Sequence, residues 1–186
     1  MILALFHDIG LLRCNTEGHL FGAALTPVHE ERGVEFTHQY LSQTALAPLA
    51  DNGNQAYIQH AQQLEPPPIE SLLASADLLS QLSDRCYLEK CRDFLFVEFS
   101  AFGFAGMADS RFPNRETLLA TTPGFVSRIF HQRLEDEFYG EYHLLELHTG
   151  GKNPWEKAIQ RNQSFLEGIL SAHDFARLRR QPKIFN

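Results

Sequence analysis

Two neighbouring residues, His7 and Asp8, carry the sharpest chemical signal in the chain, inside the stretch LALFHDIG. Burying a carboxylate without a partner costs several kcal/mol, so an adjacent imidazole and carboxylate in an apolar stretch need compensation. A divalent cation supplies it, and these two ligand types suit Fe, Mn, Zn or Mg. Successive residues of a helix point about 100° apart. Such a pair therefore addresses one ion from two sides, or two ions ~3.5–4 Å apart with the carboxylate bridging. The same dipeptide also fits a helix C-terminus at which His balances charge and Gly10 caps.

Asp77 is the second oddity. It falls on the seam of a predicted long helix, among Leu73, Ala76, Leu78 and Leu79. Capping a helix or pairing with Arg85 is the ordinary explanation, and metal ligation the functional one. His29 and His60 lie between, each on a different predicted helix, as a metal site built across a helical bundle requires. A phosphate held at such a site calls for a cation beyond the metal. Arg13, Arg32, Arg85 and Lys90 are the candidates. Arg32 is preferred, because it lies three residues after His29 on the same helix face; a surface ion pair with Glu35 is the alternative. Arg85 reads better as part of an ion-pair set with Asp84 and Glu89. His173-Asp174 repeats the His-Asp pair in a polar stretch and is read as no ligand. His19 reads as an exposed loop residue, and His38 faces away from His29. His131, His143 and His148 read as surface or core-edge positions.

The elements that must position these residues are helical. Thr26-Pro27 has the form of a helix start, with Thr26 as N-cap and Glu30 and Glu31 in the positive first turn. That helix is expected to run to about Leu46. Asp51-Asn52-Gly53 reads as a turn, 54–64 as a short helix, and Pro66-Pro67-Pro68 as a stiff break. A long helical pattern follows, with Ile69, Leu72, Leu73, Ala76, Leu79 and Leu82 near a 3.6 period and one break near Ser83. Gly103 and Gly106 end it. Thr122-Pro123 is expected to open a helix to about Asp136, and Asn153-Pro154 to open the last one, with Trp155, Ile159, Phe165, Leu166 and Ile169 on one face. LFVEF at 95–99 sits inside a helical pattern, and no period-two alternation is sustained. The expected fold is all-α, with about seven to nine helices. Phe94, Phe96, Phe99, Phe102 and Phe104 can build a core, roof a pocket or form a dimer face; a core is preferred, because these rings cover much of a helix circumference.

Composition bounds the function. The chain has 186 residues, and 16 Lys plus Arg against 23 Asp plus Glu give a net charge of −7. Length suggests one domain able to bury roughly 70% of its unfolded surface. With 44% apolar and 21% charged residues, the balance is that of a folded globule. Its acidity argues against nucleic-acid polymers and anionic membranes, which need a basic footprint. No apolar run approaches a membrane span, and the opening MILALFHDIGLL lacks the basic region of a signal peptide. Three cysteines, an odd number without CxxC spacing, fit free thiols in a reducing cytosol.

The order H-D…H…H…D on successive helices, opening in L-F-H-D-I-G, resembles the HD-domain metal-dependent phosphohydrolase superfamily, over residues 1 to about 92. The stretch ADLLSQLSDRCYLEK at 76–90 and TPGF at 122–125 resemble a group of uncharacterised bacterial HD-domain proteins. The resemblance implies a PDEase-like helical bundle over 1–172, followed by a polar tail at 173–186. It implies that His7, Asp8 and Asp77 are the H-D…D metal ligands, and that His29 and His60 match the additional histidines of two-metal members. One or two divalent ions are implied, with Mn, Mg, Fe, Co, Ni and Zn not distinguished. The implied activity is hydrolysis of a phosphate ester or anhydride on a small phosphorylated molecule such as a nucleotide. Metal-activated hydroxide would attack, with Asp8 as the bridge and Arg32 steadying the phosphate. The family pattern also has a His on a helix preceding the H-D pair, and this chain has six residues before His7. Sequence further upstream, a substituted ligand and an incomplete site are all open. The last would make the protein a catalytically inactive HD scaffold that binds or regulates. Oxidative chemistry at a mixed-valence di-iron site is a third reading.

Overall fold

A computed structural model describes residues 6–18, 22–45, 47 and 69–182. The expected turn at 51–53, the short helix 54–64 with His60, the Pro66–Pro68 break and His19 lie outside the described residues. The chain divides into two compact units, Met1–Pro68 and Ile69–Asn186, and each is described by itself. The all-α expectation holds. Among the described residues there are six helices and several 3-10 turns, slightly fewer helices than expected, and no strand. An isolated bridge pairs Ala105 with Phe112.

In the first unit, a 3-10 turn at Ile9–Leu11 follows the His-Asp pair. A second 3-10 turn spans Asn15–Glu17. One helical turn, Gly22–Leu25, and a 3-10 turn, Thr26–Val28, then lead into α1, His29–Ser42. Thr26 makes no capping bond, and Pro27 belongs to the 3-10 turn rather than to the α-helix. The regular helix starts two residues later than the Thr-Pro signal suggests and carries Glu30 and Glu31 in its first turn. It ends at Ser42, earlier than expected, where the Gln43 and Thr44 amides turn back onto the Tyr40 and Leu41 carbonyls.

The second unit contains α2 (Ile69–Ser83), α3 (residues 87–101), α4 (residues 115–137), α5 (Leu144–His148) and α6 (Pro154–Ala172). The break near Ser83 is as expected, and Asp84 organises it. Its carboxylate accepts from the Cys86 amide at 2.8 Å and pairs with Lys90. α3 is α-helical at Tyr87–Lys90, π-helical at Cys91–Leu95 and α-helical again at Phe96–Ala101. Gly103 and Gly106, at φ 74° and 86°, then turn the chain away. α6 starts as the sequence indicates, since Asn153 Oδ1 accepts from the Trp155 and Glu156 amides, both at 3.1 Å. It stops at His173, whose φ of 51° is left-handed. The His173 and Asp174 amides close onto Leu170 and Ile169 carbonyls, so the second His-Asp pair terminates a helix.

The core of this unit runs along α6, where Ile159, Asn162, Leu166 and Ile169 are buried at helical spacing. Leu79, Leu82, Val126, Ile129, Leu134 and Tyr142 pack with Ile159. Leu88, Cys91, Leu119 and Leu178 pack with Leu166 and Ile169. Leu178 lies in the stretch read as a polar tail, yet it is buried. Arg92 holds its carbonyl at 2.7 Å, and Glu89 accepts from the Arg180 amide at 3.2 Å. Of the five clustered phenylalanines, Phe96 enters the core, while Phe94, Phe102 and Phe104 remain exposed. No helix among the described residues is long and apolar enough to cross a membrane. All three cysteines are free thiols; burial pushes Cys91 up to about 11, so it is inert at neutral pH.

Candidate metal centre

The His7-Asp8 pair is not on a helix. Residues 7 and 8 form a turn, and Asp8 has φ −105° and ψ 6°. The helical divergence expected between successive side chains therefore does not apply. Instead His7 Nε2 lies 3.2 Å from Asp8 Oδ2. The Asp8 side chain is 52% exposed. The Asp8 carboxylate is open to water and carries no burial cost for an ion to offset.

Three fasteners join this turn to α1. The Phe6 ring lies 6.2 Å from Phe36 and 5.7 Å from Tyr40, which stack on each other. Gly10 crosses the helix at its first turns. A Cβ on Gly10 would run into the His29 carbonyl oxygen and lie 2.8 Å from the Gly33 nitrogen. Gly10 does not have positive φ, so its role is close approach and not the left-handed cap that its position suggests.

The third fastener is Arg32. Its Nε donates to the Gly10 carbonyl at 2.9 Å, and one terminal nitrogen donates to the Leu12 carbonyl at 2.9 Å. Both terminal nitrogens also donate to Glu17, at 2.6 and 3.0 Å. Arg32 is thus committed to Glu17 and two carbonyls. Its ion-pair partner is Glu17 rather than Glu35, which accepts from Gln39. The Arg32 guanidinium, with help from the Cys14 amide, holds the Glu17 carboxyl well below its ordinary value of 4.5, down to about 2. Glu17 in turn raises Arg32. The sequence reading missed Glu17. The spacing Cys14-x-x-Glu17 is its signal, since the Glu17 carboxylate closes back on the Cys14 amide in a capping box.

His29, the first residue of α1, hydrogen bonds through Nδ1 to the Thr26 carbonyl at 2.5 Å. A carbonyl only accepts, so Nδ1 carries the proton and the neutral ring keeps its lone pair on Nε2. Metal-binding histidines are commonly held this way. Asp77 belongs to the second unit, on α2. It is half-buried, and its Oδ2 accepts from Gln81 at 2.7 Å. Its stripe differs from the expected one: Ser71, Ser75, Leu79 and Leu82 are buried, whereas Leu72 and Ala76 are exposed.

The donor chemistry at His7 and Asp8 fits a divalent ion. With metal–ligand bonds of ~2.1 Å, neighbouring donors lie roughly 3.0 Å apart in an octahedral site and roughly 3.4 Å in a tetrahedral one. The observed 3.2 Å falls between the two and is also the separation of a direct His–Asp ion pair. His29 offers the right ring nitrogen. Among the described residues, no three His, Cys, Asp or Glu side chains gather around one point. No protein-family model matches the chain, and no curated protein or solved structure matches it either.

Proposed function

We propose that this protein is a metal-dependent phosphohydrolase of the HD type. Its substrate would be a small phosphate ester or anhydride such as a nucleotide. The observation that carries the reading is the convergence of His7 Nε2 and Asp8 Oδ2 at a separation suited to two ligands of one ion. The Nδ1-protonated His29 supports it. His7 and Asp8 would hold the ion, with His29 as the further candidate ligand of the same unit. A bound divalent ion supplies acidity, lowering the pKa of a coordinated water toward ~7 and neutralising phosphoryl oxygens. The chain's own residues orient that chemistry. The Thr26 carbonyl keeps the His29 proton on Nδ1. The exposed Asp8 carboxylate faces solvent, where a phosphorylated substrate arrives. With a net charge of −7, a bound cation would also favour the approach of an anionic substrate.

The test is a panel of phosphate esters and nucleotides, assayed with Mn, Mg, Fe, Co, Ni and Zn added singly. Turnover by the wild type with at least one metal, and loss of ~10³-fold or more in Asp8→Ala with the helical spectrum retained, is the expected result. Metal-independent turnover, or none by a wild type that binds no metal, would leave the inactive binding scaffold as the better reading.

A further inference from the structure

The segment that carries the metal-binding pair is poorly held by its own backbone. Beyond Asp8 it makes two short 3-10 turns, closed by Leu11 and Leu12 amides onto Asp8 and Ile9 and by the Glu17 amide onto Cys14. Leu12 and Cys14 between them are extended. Such a segment keeps no fixed distance from a neighbouring helix unless something outside it sets that distance. Besides the Phe6 ring and the Gly10 crossing, one side chain on α1 does so through hydrogen bonds. The Arg32 guanidinium spans three points of the segment, Gly10, Leu12 and Glu17, through four hydrogen bonds. Its planar fork is suited to this, and an ammonium is not.

We infer that the Glu17–Arg32 pair, working beside the Phe6 and Gly10 contacts, positions the His7-Asp8 turn against α1, and that Arg32 is a positioning residue rather than a phosphate ligand. The inference rests on the metal-binding reading of His7 and Asp8. Gly10 and Leu12 lie two and four residues past Asp8, so the carbonyls Arg32 grips fix the turn immediately downstream of the ligands. Glu17 orients the guanidinium from its far side. A phosphate arriving at Arg32 would have to displace a bidentate carboxylate. The pair thus acts on metal affinity through geometry and has no part in binding the anion.

The experiment uses the full chain with Arg32→Lys, Glu17→Gln and Glu17→Asp. Two readouts are taken: amide hydrogen exchange of residues 9–12 without metal, and Co(II) titration by visible absorption. Arg32→Lys and Glu17→Gln are expected to exchange about ten-fold faster or more at residues 9–12 and to bind Co(II) about 10–100-fold more weakly, as loss of outer-shell support does. Glu17→Asp, which keeps the carboxylate, is expected to recover part of both. Glu17→Gln removes only the carboxylate that orients the guanidinium and keeps Arg32 itself, so it is the milder variant where Arg32→Lys unfolds. Wild-type exchange and Co(II) affinity in Glu17→Gln would overturn the inference and leave the metal reading standing. A wild type that takes up no Co(II) would overturn both.

Discussion

Gly10 meets α1 with no room for a side chain. An added Cβ would press into the His29 carbonyl, a backbone group that no rotamer change can move aside. Gly10→Ala is therefore expected to cost on the order of 3 kcal/mol within the first unit. Hydrogen exchange is the measurement, with lost protection at residues 9–12 and 33–37 and unchanged protection in α6; protection equal to wild type would contradict the close crossing. The glycine was visible in the HDIG motif, but its reason was not, because cap and close approach look alike in one dimension. His29 and Arg32 were singled out from their spacing. The Thr26 carbonyl that selects the His29 tautomer, and Glu17, which occupies Arg32, depend on how two non-helical segments fold back, and no helical periodicity encodes that. Asp8 was singled out by an argument from burial that its exposure removes; its relation to His7 comes from the turn.

At the scale of elements, punctuation was read well at the Asn-Pro pair, where a side chain caps, and badly at the two Thr-Pro pairs, where none does. Asn153-Pro154 begins α6 as expected, with Asn153 satisfying two amides. Thr122-Pro123 does not begin a helix. Asn114 caps the Thr117 amide at 2.8 Å, and α4 continues through Pro123. The buried Thr122 turns its hydroxyl back to the Leu118 carbonyl at 3.1 Å within the helix instead of capping. The polar groups inside the second unit were also unreadable, since they serve partners distant in sequence. Asn162 on α6 donates to the Leu82 and Asp84 carbonyls at 3.0 and 2.9 Å, closing the end of α2. Ser71 on α2 donates to the buried Glu141 at 2.8 Å. Burial pushes the Glu141 carboxyl above its ordinary value of 4.5, against the opposing effect of Ser71. The folded state therefore binds this proton more tightly than the unfolded chain, so the group's contribution to stability is present at low pH and declines as pH rises from 4.5 through the raised value. Melting temperatures from pH 4.5 to 7 are expected to fall less steeply in Glu141→Gln than in the wild type; parallel curves would contradict the assignment.

For the whole molecule, composition and periodicity sufficed for an all-α chain with free thiols. They did not reveal the division at residue 68 or the packing of 173–182, where basic residues frame one buried leucine. Arg177 and Arg180 stack over Phe165 while Leu178 enters the core and Phe175 packs against the same cluster, so a stretch that is polar by count is anchored by two apolar side chains and the flanking guanidinium stems. The long-range candidates are the hardest to judge from sequence, because ligands from separate segments converge only through tertiary structure. The central claim is that His7 and Asp8 donate to the same divalent ion. Anomalous diffraction at the manganese edge, from crystals of the full chain grown with Mn(II), tests it most directly. The account predicts an anomalous peak within about 2.3 Å of both His7 Nε2 and Asp8 Oδ2. A fully loaded crystal with its peak elsewhere, and these two atoms bonded only to each other, would contradict it.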